Sequence, residues 1–178
     1  EAEATIEQLK GLHERYCGNE EMAFVYAMGL VNLTNKQPME GVEATIERLA
    51  ELHEQYSGNK KIALRYARGL VNLSTEQPAE EAEATIEQLK GLHERYCGNE
   101  EIALVYAKGL VNLSAEQSAE EAEATVEQLA ELYEQYSGNQ EIAVEYARGL
   151  VNLSIEQPAE EAEATIEQLK GLHERYCG

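Results

Sequence analysis

Histidine and cysteine recur together near the end of one repeated segment, four residues apart. The pairs are His13–Cys17, His93–Cys97 and His173–Cys177. On a helix this spacing places both side chains on one face, where imidazole and thiolate could ligate zinc. Each pair supplies only two ligands, and the intervening copies carry Ser57 and Ser137 in place of cysteine. We therefore predict no metal site and no other cofactor.

A second set of polar residues recurs in the other half of the repeat, once in each unit. An asparagine could hydrogen-bond the backbone of an extended peptide, because its carboxamide both donates and accepts. It could equally satisfy carbonyl groups near the end of its own helix. A nearby position is cationic in three of four units, with Met28 in the first. The candidate partner-binding residues are Asn32, Asn72, Asn112, Asn152, Arg68, Lys108 and Arg148.

Repeated carboxylates are the other group with potential chemistry. Thr5, Glu7 and Glu14 recur in every copy, but carboxylates at helical spacing are typical of a solvated surface. No glycine-rich phosphate loop is present, and no motif joins a nucleophile to a base and an orienting acid. We predict no enzymatic activity and no catalytic residues.

These residues are positioned by a tandem repeat. The string EAEATIEQLKGLHERYCG occurs at 1–18, 81–98 and 161–178, with related strings at 41–58 and 121–138. The period is 40 residues, and alternate copies differ, which gives an 80-residue superperiod. We predict one repeat domain, 1–178, with units at about 1–40, 41–80, 81–120 and 121–160 and a half unit at 161–178.

Each unit predicts two helices. In the third unit, Gly98 is placed to end the first helix and Asn99 to cap the second. The apolar stripe of the first helix is Ala82, Ile86, Leu89, Leu92 or His93, and Tyr96. The second helix is apolar on most sides and should be buried. Stacked pairs predict an all-α solenoid of antiparallel helix pairs, with about nine helices.

A glycine recurs in the middle of each second helix, at Gly29, Gly69, Gly109 and Gly149. Glycine inside a helix costs about 1 kcal/mol relative to alanine. Its presence in every copy predicts the close approach of a neighbouring backbone.

The net charge of −20 narrows the class of partner. Nucleic acid and anionic membrane are disfavoured because both require clustered lysine and arginine. A basic peptide or protein is favoured instead. No apolar run approaches the roughly 20 residues of a membrane span. With no visible signal peptide and unpaired cysteines, the sequence favours a cytoplasmic location.

The sequence resembles the tetratricopeptide-type helical repeats, and the resemblance extends over the whole chain. It is carried by the Gly98-Asn99 turn followed by Ala103, Ala107, Leu110 and Leu113, with equivalents in each full unit. The 40-residue period is longer than the 34 residues usual in that family. The resemblance implies a right-handed superhelix whose concave face binds peptides or proteins.

Two functions remain open at this point. The first is a non-enzymatic scaffold that binds a peptide or protein. The second is a structural array that assembles end to end, because both terminal segments have the sequence of an internal helix and should expose apolar residues. The candidate end-to-end contacts are Ile166, Leu169, Leu172 and Tyr176.

Overall fold

The chain is a linear array of helices. The structure is a computed structural model that describes residues 2–177, with the side chains of 4–39 and 41–176. In that range there are nine α-helices and no strand. They are α1 (Ala2–Arg15), α2 (Glu20–Thr34), α3 (Met39–Gln55), α4 (Lys60–Glu76), α5 (Ala79–Arg95), α6 (Glu100–Ser114), α7 (Ala119–Gln135), α8 (Gln140–Glu156) and α9 (Ala159–Cys177). The predicted all-α solenoid is confirmed.

The turn inside each unit follows from its glycine and asparagine. Gly98 has a φ of +81° and Gly18 a φ of +88°, a left-handed conformation that side chains disfavour. Asn99 then caps α6, its Oδ1 accepting hydrogen bonds from the backbone N–H groups of Glu101 and Ile102. The predicted turn at Gly98 and the predicted asparagine cap at Asn99 are both confirmed.

A glutamine–threonine hydrogen bond holds the start of the odd helices from α3 onward. In α5, the Thr85 hydroxyl donates to Gln77 Oε1 at 2.7 Å, across the extended Pro78 that precedes the helix. The same bond joins Gln37 to Thr45, Gln117 to Thr125 and Gln157 to Thr165. The bond fixes the chain where one unit passes into the next, and it was not predicted from the sequence.

The helices form two unequal layers. Each even helix packs against the odd helix on either side of it and against the neighbouring even helices. Within residues 2–177, no two odd helices bring their Cα atoms within 8 Å of each other. The even layer is therefore more closely spaced than the odd layer, which curves the array toward the even helices and makes their free face concave.

The core runs through the junction between the layers. Leu89 of α5 and Ile102 and Leu110 of α6 are fully buried, and the equivalent positions of the other internal units are buried too. All six members of the apolar stripe predicted for the first helix of unit three are buried, as expected. Burial of these side chains is the main stabilising contribution to such an array.

The odd helices carry most of the acidic surface. Glu83, Glu87 and Glu94 of α5 are exposed, and α7 contains glutamate but neither lysine nor arginine. The glutamates that recur at helical spacing in the first helix of each pair thus lie on a solvated surface, as predicted. None of the helices described in residues 2–177 combines the length and the apolar character that crossing a bilayer requires.

The recurring glycine has a different partner from the one predicted. A Cβ placed on Gly109 would lie 2.8 Å from Ile86 Cδ1 and 2.9 Å from Leu89 Cδ1. The prediction of a close backbone was wrong, because side-chain methyl groups of the preceding odd helix fill the space. Gly29 and Gly69 meet equivalent isoleucine and leucine methyls, and Gly149 meets Leu129.

A matched pair of glycine substitutions tests this packing. Gly91→Ala should raise the free energy of unfolding by about 0.5–1 kcal/mol, because Gly91 is exposed within α5 and nothing lies within 4 Å of an added Cβ. Gly109→Ala should lower it by about 1 kcal/mol, because overpacking of about 1–3 kcal/mol exceeds the helix-propensity gain. Urea unfolding of both variants measures the difference. Equal stabilisation by the two substitutions would contradict the packing role.

Candidate functional site

The concave face of the even helices contains an open groove of about 510 Å³ between α4 and α6. Its lining includes Arg68, Val71 and Asn72 from α4 and Leu104 and Lys108 from α6. Apolar side chains flanked by a few polar groups are typical of a surface that binds an extended ligand. The groove brings together three of the residues that the sequence singled out.

The groove carries charges of both signs. Arg68 and Lys108 are exposed and occupy equivalent positions one unit apart, while Glu101 and Glu141 line the same groove one unit apart. The groove therefore differs from the outer surface, where glutamate dominates. A ligand in it would meet a row of cations beside a row of carboxylates.

Arg65 lies next to this groove and is held by the first unit. Its guanidinium carbon is 5.2 Å from the centre of the Phe24 ring, a cation–π geometry. Its Nε is buried and has no hydrogen-bond partner. Burial and the nearby charge of Arg68 both lower the pKa of Arg65, and Glu101 opposes them. Arg65 thus adds positive potential beside Arg68.

The asparagine row joins successive even helices. Asn72 Nδ2 donates to Thr34 Oγ1 at 2.8 Å, and Asn112 Nδ2 donates to Thr75 Oγ1 at 3.1 Å. Asn152 Nδ2 donates to the Ser114 hydroxyl and to the Val111 carbonyl in the same way. These three carboxamides each tie one unit to the unit before it. Their contact with a partner stays a prediction.

Two of the other predicted residues lie apart from the central groove. Asn32 is exposed and lines a second pocket of about 420 Å³ between α1 and α2, together with Val25 and Met28. Arg148 is tied within α8, where its Nη1 lies 3.2 Å from both carboxylate oxygens of the buried Glu145. Arg148 therefore has a partner of its own, whereas Arg68 and Lys108 face the open groove.

No family model, curated protein or solved structure matches the chain.

The histidine and cysteine of the first and third units differ in exposure, and the side chain of Cys177 lies outside the described residues. His13 is buried, whereas Cys17 is exposed, with its Sγ 3.9 Å from Gln55 Nε2. His93 and Cys97 show the same division, and Cys97 contacts the next unit's glutamine. Among the side chains that the structure describes, no three histidine, cysteine or acidic residues cluster as metal ligands would.

The buried histidines belong instead to an aromatic ladder along the array. His53 stacks on Tyr66 of its own unit with ring centres 5.6 Å apart, and its Nε2 lies 3.0 Å from the Tyr96 hydroxyl of the next unit. The rings of His13 and His93 each contact two tyrosine rings, one of their own unit and one of the next. The sequence showed both residue types at 40-residue spacing, but the stacking depends on contacts between units.

The ladder has a natural variant in the fourth unit. Tyr133 takes the histidine position, stacks on Tyr146 at 5.5 Å and accepts a hydrogen bond from Arg175. Arg95 occupies the position relative to His53 that Arg175 occupies relative to Tyr133. A tyrosine at position 53 would therefore find both of the partners that support Tyr133.

The predicted end-to-end residues all lie on α9. Ile166 and Tyr176 are exposed, whereas Leu169 and Leu172 are half-buried against α8. Their equivalents in α5, which has the same sequence, are buried. The structure thus leaves one side of α9 uncovered, and the end-to-end contact stays a prediction.

The ladder makes stability depend on pH. Burial lowers the pKa of His53, as does Arg95, against a smaller opposing effect of Glu54. Burial also lowers the pKa of His93, opposed by Gln135 and Glu94. Because the unfolded chain then binds more protons, the free energy of unfolding should fall as the pH drops below about 6.5 toward the native pKa values.

His53→Tyr should reduce this acid sensitivity while preserving the stack. Chemical denaturation between about pH 7.5 and about pH 5 should show a smaller loss of stability in this variant than in the wild type. An undiminished loss in His53→Tyr would exclude His53 as a source of the effect.

Proposed function

We propose that the protein is a non-enzymatic scaffold that binds an extended peptide or protein segment along the concave face of its even helices. The groove between α4 and α6 is the observation that carries the proposal. Valine and leucine side chains line it together with exposed charged side chains, and the lining residues come from α2, α4, α6 and α8. The resemblance to tetratricopeptide-type repeats, which bind peptides or proteins on a concave face, supports the same function.

The groove charges specify the partner further. Arg68 and Lys108 would pair with carboxylates of the bound segment, whereas Glu101 and Glu141 would pair with its lysines or arginines. The acidic outer helices favour the approach of a basic protein through long-range attraction. These features together fit a basic partner with a mixed-charge segment that enters the groove.

The two groove cations are better probes of this function than the asparagines. Asn72 and Asn112 stabilise junctions between units, so replacing them would change the array as well as the groove. Arg68 and Lys108 are exposed, and none of the ion pairs described in the structure involves them. Changing their charge should alter binding with little effect on folding.

Charge reversal at the groove tests the proposal. Arg68→Glu combined with Lys108→Glu should weaken binding of a fluorescent mixed-charge peptide, selected on the wild-type protein, by at least about tenfold, because each lost ion pair becomes a repulsion. Fluorescence anisotropy titration measures the change. The unfolding midpoint of the variant, measured in parallel, checks that the array is intact.

The matched control reverses two cations on the outer surface. Lys90→Glu combined with Lys170→Glu produces the same change in net charge on α5 and α9, outside the groove. It should leave peptide binding within about twofold of the wild type at moderate salt. Equal losses in the two double variants would assign the effect to net charge and contradict a binding groove. Failure to select any peptide would also contradict it.

Self-association is a second candidate function, and one observation favours it. Within the described side chains, every exposed large hydrophobic residue lies on the first two or the last two helices or, for Tyr16, in the turn that follows α1. They are Leu12, Tyr16, Val25, Met28, Val144, Val151, Ile155, Ile166 and Tyr176. Apolar surface confined to opposite ends favours head-to-tail contact between copies, which produces rings or filaments.

A further inference from the structure

Three helices with the same sequence have different surroundings. Residues 1–18, 81–98 and 161–178 are identical and form most of α1, α5 and α9. In residues 2–177, α2 is the only helix with Cα atoms within 8 Å of α1, and α8 is the only one for α9, whereas α5 has α4 and α6 within that distance. Comparing the three therefore shows which part of the helix each neighbour covers.

In α5 the two sides of the helix face different units. Ile86 and Leu89 form the forward side, because their methyl groups lie against Gly109 of α6. Tyr96 belongs to the rear side, because its hydroxyl contacts His53 of the preceding unit. Both sides are buried at this internal position.

In α1 and α9 opposite sides are uncovered. The forward side of α1 is buried, with Ile6 5% exposed, while Leu12 and Tyr16 on its rear side are 41% and 50% exposed. The forward side of α9 is open, with Ile166 45% exposed. On its rear side, the Tyr176 hydroxyl donates to the Ser137 carbonyl at 3.4 Å. A single helix with both sets of neighbours would be covered on both sides, as α5 is.

We propose that α9 of one copy replaces α1 on α2 of a second copy. Ile166 and Leu169 would then lie against Gly29 of that copy, where Ile6 and Leu9 lie now. The incoming helix has the sequence of the helix it displaces, so the contacts with α2 are remade with the same residues. Exchange of an identical element is a low-cost route to association.

The net gain comes from the junction between even helices. The uncovered apolar residues at that junction are Val144, Val151 and Ile155 on α8 and Val25 and Met28 on α2. At internal junctions the positions that match Val144, Val25 and Val151 are covered, as Leu64, Val105 and Val31 show, whereas those that match Met28 and Ile155 are exposed. Exchange would bring α8 of one copy against α2 of the next and remove the surface of Val144, Val151 and Val25 from water. Asn32 would also reach Ser154, as Asn152 reaches Ser114.

The direction of exchange follows from how the two helices are anchored. Gln157 accepts a hydrogen bond from Thr165 within the start of α9, and its Nε2 donates to Glu123 of α7. These bonds and the contacts with α8 hold α9 on its own copy during exchange. Because α1 is joined to α3 through side chains alone, as in the 3.5 Å contact of Arg48 with Glu7, and lies in backbone proximity to α2 only, we take α1 as the helix that leaves. Repetition of the step produces a head-to-tail chain of copies.

This proposal rests on the self-association candidate and is independent of the peptide groove. It makes one distinctive prediction, because the same substitution in two identical helices should act in opposite directions. Ile166→Glu places a carboxylate on a surface that is open in the monomer and buried after exchange. Ile6→Glu destabilises the packing of α1, the helix that must leave, against α2.

The experiment measures the apparent dissociation constant of the 178-residue chain by size-exclusion chromatography with light scattering over a concentration series. Ile166→Glu should weaken association at least about tenfold, and Ile6→Glu should strengthen it at least about tenfold. Ala164→Glu is the control for charge. It adds the same carboxylate at an exposed position of α9 that lies outside the forward side of the helix. It should leave association within about twofold of the wild type.

Each other outcome has a defined meaning. A wild-type chain that stays monomeric at high concentration overturns both the exchange and the self-association candidate. Association that Ile6→Glu weakens, as Ile166→Glu does, overturns the exchange alone and indicates stacking of intact ends. If Ile6→Glu does not fold, a variant that lacks residues 1–18 replaces it, and exchange requires that this variant associate more tightly than the wild type.

Discussion

The array depends on the contact between an odd helix and the glycine of the even helix that follows it. Isoleucine and leucine methyls occupy the space that a Cβ would need at Gly29, Gly69 and Gly109. This contact sets the distance between the layers, and the 40-residue period repeats it in every unit. The same close contact buries the leucines on both helices completely, since protein interiors pack to near-crystalline density.

Closer spacing in the even layer has consequences on both faces. On the even side, backbones are near enough for Asn72 to reach Thr34 across a junction, and the curvature produces a groove. On the odd side, the helices lie farther apart and are joined through side chains, as Arg48 is to Glu7 at 3.5 Å, while Gln117 of the linker before α7 reaches Glu83 of α5 at 3.3 Å. Wider spacing also separates the glutamates of neighbouring odd helices, which reduces their mutual repulsion.

Structural features that depend on residues close together in the chain could be predicted from the sequence. Helical periodicity, the Gly98 turn and the Asn99 cap are local, and they specify helices that the structure contains. What could not be predicted depends on residues brought together from different helices. The stack of His53 on Tyr66 and the filling of the Gly109 space require the packing geometry. The asparagine row illustrates this difference, since its spacing could be read from the sequence but its hydrogen-bond partners in the preceding unit could not.

The 80-residue superperiod of the sequence corresponds to two kinds of junction between successive units in the structure. From an odd to an even unit, Asn59 donates to Glu20 and Asn139 donates to Glu100, and the Gly18 and Gly98 N–H groups donate to the tyrosine hydroxyls of the next unit. From the second to the third unit, Lys60 occupies the position of the accepting glutamate, and the Tyr96 hydroxyl lies 3.0 Å from His53 Nε2. The helix exchange would join the even fourth unit to an odd first unit. It would therefore preserve the alternation, so that a chain of copies repeats both junction types in the order found within one molecule.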